Sequence, residues 1–249
     1  MVINMNGTTR YTIRPYDTIW MLAQIFNTTV DSIMDLNPGI DPRNLMIGQV
    51  ITIRPGYQYY PPYNDDMGGI EADNRDVDDL INHFRMLWEQ HVFWTRLAVM
   101  ALIHDLPETE LILQRLLRNP MDFANALQPF YGDEIAREFA NLLTAHLTIA
   151  ADLVKAAKAG DNEAVTEADQ KWRENAEQIA ELLGNINPDW SVDDWSAMLN
   201  EHLDFLSADV SDMLAENYQE SVNNFDQIEM QALEMADMMA EGIAMQFPE

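Results

Sequence analysis

The stretch from Arg54 to Asn74, RPGYQYYPPYNDDMGGIEADN, constrains this chain more than any other, because no regular element can run through it. Pro61 and Pro62 cannot continue a helix, Gly56, Gly68 and Gly69 loosen the backbone, and Asp65 and Asp66 favour solvent. The residues on its two sides must fold as separate units. The expected division is a first domain over residues 1–56, a linker over 57–74 and a second domain over 75–249. The linker's four tyrosines (Tyr57, Tyr59, Tyr60 and Tyr63) are read as packing surface for a domain rather than as a platform for sugar rings.

The two flanks differ in charge as well as in pattern. Residues 1–56 balance Arg10, Arg14, Arg43 and Arg54 against Asp17, Asp31, Asp35 and Asp41. The whole formal charge of −28 therefore lies behind them. So anionic a body repels nucleic acid and anionic lipid, and neither is expected as a partner. No cysteine is present, which excludes disulfides, thiolate metal sites and a cysteine nucleophile. The opening MVINMNGTTRYTIRP has no basic start followed by an apolar run, so no secretory signal peptide is expected. No window reaches the roughly 18 apolar residues of a membrane span.

Before the linker the order reads strand, helix, helix, strand. Tyr11–Arg14 alternates as a strand does. Asp17 or Thr18 caps a helix carrying Ile19, Leu22, Ala23 and Phe26 at helical spacing. Thr29 opens a second short helix with Val30, Ile33, Met34 and Leu36, stopped at Asn37-Pro38-Gly39. Val50–Ile53 is the closing strand, and Ile13, Leu22, Ile33, Val50 and Ile53 are the expected core.

After the linker the pattern is helical throughout, with expected helices over residues 77–103, 108–119, 133–159, 162–183, 192–216 and 219–246. Pro107, Pro120, Pro129 with Gly132, Gly160 with Asp161, and Asn187 with Pro188 supply the breaks. Ser191, with Asp194 three residues on, resembles a capping box. Long helices joined by short loops predict an antiparallel bundle, and no fixed repeat is evident in the sequence.

Residues about 10–55 resemble a LysM domain, the small βααβ module that binds N-acetylglucosamine polymers. The resemblance rests on an ordered set: Tyr11 and Ile13, Asp17-Thr18-Ile19-Trp20, Leu22-Ala23, Phe26, Val30, Ile33, Asn37-Pro38, Leu45, Gly48-Gln49, Val50 and Ile53. It implies an α+β first domain beside an all-α bundle, and a sugar groove between two loops. The residues it assigns to that groove are Tyr16, Asp17, Thr18 and Ile19 in one loop, and Pro38, Gly39, Ile40 and Leu45 in the other. Tyr16 departs from the family, which has glycine there. Were that position to require positive φ, tyrosine would cost roughly 1–2 kcal/mol. Its ring would either stack on a sugar or close the groove.

The rest of the chain is similar to uncharacterised bacterial helical proteins found alone or behind a LysM module. That resemblance adds a bundle and no chemistry. Its helices carry inward-facing rows with His91, His146 and His202 on three different helices, and Glu229 on the apolar row of the last. Imidazoles and carboxylates meeting inside a bundle are a transition-metal ligand set, here His91, His146 and His202 with Asp209, Asp226 or Glu229. The competing reading, which the residues favour, is a buried polar network that fixes helix register, with no cofactor. His83 and His104 are expected at the surface or at helix ends. Met230, Met235, Met238, Met239 and Met245 read as flexible core filling.

No Gly-x-Ser-x-Gly, Walker or His-Glu-x-x-His motif occurs, so the chain reads as non-catalytic. The expectation is a bacterial protein, synthesised in the cytoplasm, whose LysM module anchors a bundle to peptidoglycan or a chitin-like glycan at the cell or spore envelope. Two rivals stand beside it. One is a metal-binding or redox bundle localised by LysM. The other is a self-assembling homo-oligomer that uses LysM as a docking surface.

Overall fold

The computed structural model describes residues 8–14, 17–26, 28–54 and 75–248. The chain divides into two compact units, Met1–Ile70 and Glu71–Glu249. The linker expected over 57–74 lies outside the described residues.

The first unit runs β1 (Thr9–Thr12), α1 (Ile19–Ile25), α2 (Val30–Leu36) and β2 (Val50–Ile53). The strands pair antiparallel, Thr9 opposite Ile53 and Thr12 opposite Val50. The first strand starts two residues earlier than its alternation suggests, but its pairing runs on, with Ile13 N–H donating to Gln49 O at 2.7 Å. Ile13, Ile19, Leu22, Ala23, Phe26, Ile33, Ile51 and Ile53 form the core. Val50 is not among them: it is 45% exposed. Strand side chains alternate, so inward Ile51 and Ile53 put Val50 and Thr52 on the opposite face.

Asn37 ties this small unit together. Its amide donates to Ile33 O and Thr52 O, and its carbonyl accepts from Thr52 N–H, all at 2.7 Å. It thus ends α2 and serves as a strand partner for β2. Asn37→Ala should strand the partly buried Thr52 groups at a cost of about 1–3 kcal/mol. In so small a unit that predicts a melting midpoint lowered by about 10 °C. Thermal scans of the full chain, following backbone amide signals of β2 by NMR, check this; an unchanged midpoint would contradict it.

The second unit is helical: α3 (Arg75–His104), α4 (Thr109–Leu116), α5 (Asn119–Ala159), α6 (Asn162–Ile186), α7 (Val192–Leu214) and α8 (Tyr218–Gln246). None of these is long and apolar enough to cross a membrane. The cap of α7 agrees with the sequence, Ser191 accepting from Asp194 N–H; Asp161, read there only as part of a break, caps α6 by accepting from Ala164 N–H. One break does not agree. The sequence ends a helix at Asn119 because of Pro120, whereas Pro120 stands in the first turn of α5, where its missing N–H costs nothing. The expected gap over 120–132 is thereby helix, and α5 has two arms that meet at Gly132, with φ 77° and ψ 174°.

With that break placed, the unit resolves into three copies of one helical hairpin. The first copy pairs α3 with α4 and the first arm of α5. The second pairs the second arm of α5 with α6, and the third pairs α7 with α8. Equivalent positions recur 55 or 56 residues apart. Each first helix ends in a left-handed residue: Asp105 (φ 51°), Gly160 (φ 70°) and Glu216 (φ 61°). Beyond it the next amide donates back five residues: Leu106 to Ala101, Asp161 to Ala156 and Asn217 to Asp212. This is one helix-ending turn built three times. Phe84, Phe139 and Trp195 are equivalent and buried, as are Ala124, Ala180 and Ala236. The copies close into a ring: α3 packs on α8, α8 on α7, α7 on α6, α6 on α5 and α5 on α3.

Candidate functional site

In the first unit the assigned groove residues fall into different roles. Tyr16 lies outside the described residues. Asp17 caps the turn before α1, its carboxylate accepting from Arg14 N–H at 2.7 Å. Thr18 caps α1 itself, accepting from Met21 N–H at 3.1 Å. The Ile19 side chain is buried in the core, so only its backbone is available to a ligand. In the second loop, Pro38 and Gly39 are exposed, and Gly39 has φ 88°, a conformation that favours glycine. Ile40 and Leu45 are half-buried against the core and can present only an edge. Met46 and Ile47 come next, 66% and 70% exposed. The resemblance assigns no groove residue beyond Leu45. Two consecutive large apolar residues between a turn and a strand are the signal in the sequence that points to them.

The second unit brings His91, His146 and His202 together. They occupy the same position in the three hairpins and are all buried. His91 and His202 have ring centroids 6.1 Å apart. All three line one cavity of about 10 Å³, walled also by Trp88, Phe139, Leu143, Ile179, Leu183, Trp195 and Leu199. That is room for about one water-sized sphere.

Each histidine faces an amide side chain from the second helix of its own hairpin. His91 Nδ1 lies 3.0 Å from Asn119 Oδ1, while Asn119 Nδ2 donates to Leu87 O at 3.0 Å. His146 Nδ1 lies 2.9 Å from Asn175 Oδ1, and Asn175 Nδ2 donates to Leu142 O at 3.1 Å. In the third copy Gln231 Nε2 donates to Met198 O at 3.1 Å. Leu87, Leu142 and Met198 each stand four residues before their histidine, so one device recurs three times. The third copy is looser. Gln231 Oε1 and His202 Nδ1 have no hydrogen-bond partner, although Gln231 lies near enough to favour the protonated ring.

The amides fix the tautomer. Since Nδ2 of Asn119 and Asn175 is spent on a carbonyl, Oδ1 faces the imidazole, and Nδ1 must donate to it. The neutral ring is then unprotonated at Nε2. Burial drives the rings to that neutral state. It pushes His91 down to about 4, against a smaller upward pull from Asn119. It pushes His146 and His202 down to about 3, helped by charge at their neighbouring histidines.

The carboxylates expected to join them do not. Asp209 is fully buried but engaged: Arg96 Nη1 donates to its Oδ1, as does Ser221 Oγ at 2.7 Å. Asp226 is exposed. Glu229 is half-buried and meets Glu89, whose carboxyl is raised first by burial and then by the charge and hydrogen bond of Glu229. Among the described residues no three histidine, aspartate or glutamate side chains already stand in metal-binding geometry. His104 is exposed at the end of α3, whereas His83 is half-buried and lowered by that burial. Met235 and Met239 fill the core as expected, but Met230 and Met245 are 54% and 58% exposed and do not.

The first unit, two antiparallel strands around two short helices with a capped loop and an open turn, is a small α+β module. Residues 11–54 match the LysM domain family, so the chain carries a LysM domain followed by a helical region. The secreted LysM effector ELP2 of Colletotrichum higginsianum (strain IMI 349063) is 45% identical over 47 residues. That match covers 19% of this chain and 27% of that protein, so the chain spans well under half of this relative. No solved structure matches.

Proposed function

We propose that the LysM domain binds N-acetylglucosamine-containing glycan and so anchors the helical unit to such a polymer. The observation that carries this is the match over residues 11–54. Asp17 and Thr18 hold one loop through their capping bonds, and the Pro38-Gly39 turn opens the other. Met46 and Ile47 supply apolar area against which the face of a sugar ring can lie. The near-neutral first unit neither attracts nor repels a glycan, so contact area and backbone hydrogen bonds set the affinity. A single shallow module binds weakly, and retention on a polymer then depends on several chains acting together.

The polymer is envelope peptidoglycan or a chitin-like glycan. The experiment is co-sedimentation of the full chain, and of the chain lacking residues 1–56, with insoluble peptidoglycan and with chitin in separate arms. The full chain should pellet with at least one polymer and the truncated chain with neither. Pelleting that survives truncation, or none by either chain, would refute the anchor.

A further inference from the structure

We propose that His91, His146 and His202 are the protein's half of a transition-metal site, completed when an ion enters the cavity they share. Three observations carry this. The three imidazoles come from equivalent positions of three hairpins and line one cavity. Two of them are held by an amide oxygen at Nδ1, which leaves Nε2 as the free electron pair. A ring nitrogen donating to a carbonyl oxygen while its partner nitrogen stays unprotonated is the arrangement that orients histidine toward a metal. Two residues of the cavity wall, Trp88 and Trp195, also have buried indole N–H groups without acceptors.

Two imidazole lone pairs, and a third ring whose tautomer no amide fixes, share one small cavity, and a cation between them can be bound by all three. A divalent ion satisfies all three and keeps a fourth position open, as three-histidine sites do. Neutral imidazole selects zinc, cobalt, nickel, copper or iron over calcium and magnesium.

The site is poised rather than closed. Two imidazoles on one ion at about 2.0–2.1 Å place their ring centroids roughly 5 Å apart, and His91 and His202 stand at 6.1 Å. Ion binding therefore draws the rings inward by about 1 Å. The third copy, in which His202 Nδ1 and Gln231 Oε1 make no hydrogen bond, is where that movement is least opposed.

The test uses the full chain freed of metal with a chelator, with cobalt(II) as the probe. One cobalt per chain, with the visible absorption of a four-coordinate ion, is expected. His202→Gln and His146→Gln should each weaken uptake by at least about a hundredfold, since loss of a ligand exceeds the 10–100-fold loss seen for outer-shell partners. Far-UV circular dichroism confirms that the variants fold. Should either fail to fold, imidazole nitrogen NMR on the unaltered chain decides: cobalt-sized shifts, or diamagnetic shifts with zinc(II), must appear at Nε2 of all three rings. Uptake below roughly a tenth of an equivalent overturns the proposal, as does uptake that both variants retain or that leaves the three Nε2 signals unmoved.

Discussion

The metal-free helical unit should unfold steeply in mild acid, losing roughly 4 kcal/mol of stability per pH unit once the pH is well below 6.5. The sign is set by where the protons bind. In the unfolded chain the three histidines titrate near 6.5, while in the fold His91 titrates at about 4 and His146 and His202 at about 3. Between those limits these three rings bind three more protons in the unfolded state than in the native state, and His83, lowered by burial, adds in the same sense. Stability is therefore complete above pH 6.5 and falls as the pH falls. Glu89 and Asp122 work against this, because their folded carboxyls are raised by burial and hold protons sooner than the unfolded ones. A domain at the lower end of the usual 5–15 kcal/mol has nothing left about two units below 6.5. Urea unfolding at pH 7.5, 6.5, 5.5 and 5.0, with free metal chelated, measures the slope. A stability constant across that range would mean that the rings are not buried neutral.

The second large effect lies at Asp209. Asp209→Ala should cost about 3–5 kcal/mol, because it leaves the Arg96 guanidinium, whose side chain is only 17% exposed, without its carboxylate. The repeat indicates the remedy. The positions equivalent to Asp209 in the other two hairpins are Ala98 and Leu153, both buried and apolar. The pair Arg96→Met with Asp209→Leu should recover most of that loss, since well-packed apolar residues replace a buried ion pair at little or no cost. Arg96 also lies over the Phe225 ring, a contact methionine can keep in part. Chemical denaturation of the single and double variants separates the terms. A mild Asp209→Ala, or a double variant as unstable as the single, would show that the ion pair does not act as a closed unit.

The first unit is readable from sequence because its signals are local. Thr18 and Thr29 cap helices from one turn away, and Asn37-Pro38-Gly39 stops α2 within three residues. Val50 is misplaced because a four-residue strand, VITI, does not declare which face is buried. In the helical unit, the histidine rows are visible in the helical spacing around His91, His146 and His202. Their partners are not. Asn119, Asn175 and Gln231 sit 28 or 29 residues further along on a second helix, and an amide carries no sequence mark of the ring it will hold. The repeat is hidden for a related reason. The copies keep burial and backbone geometry while changing residues, as at Asp105, Gly160 and Glu216, where one left-handed turn is made by three residue types. Pro120 conceals it further, since a proline in a first turn reads in sequence as a helix end.

The central claim is that the LysM domain binds glycan through its two loops, and a residue-resolved titration tests it most directly. The full chain, labelled with ¹⁵N, would be titrated with a soluble N-acetylglucosamine oligomer and followed by amide chemical shifts. Shifts confined to residues 17–19 and 38–47, with the amides of α3 to α8 unmoved, are the expected result. An oligomer that moves no amide in those loops, or that moves only amides of the helical unit, would contradict it.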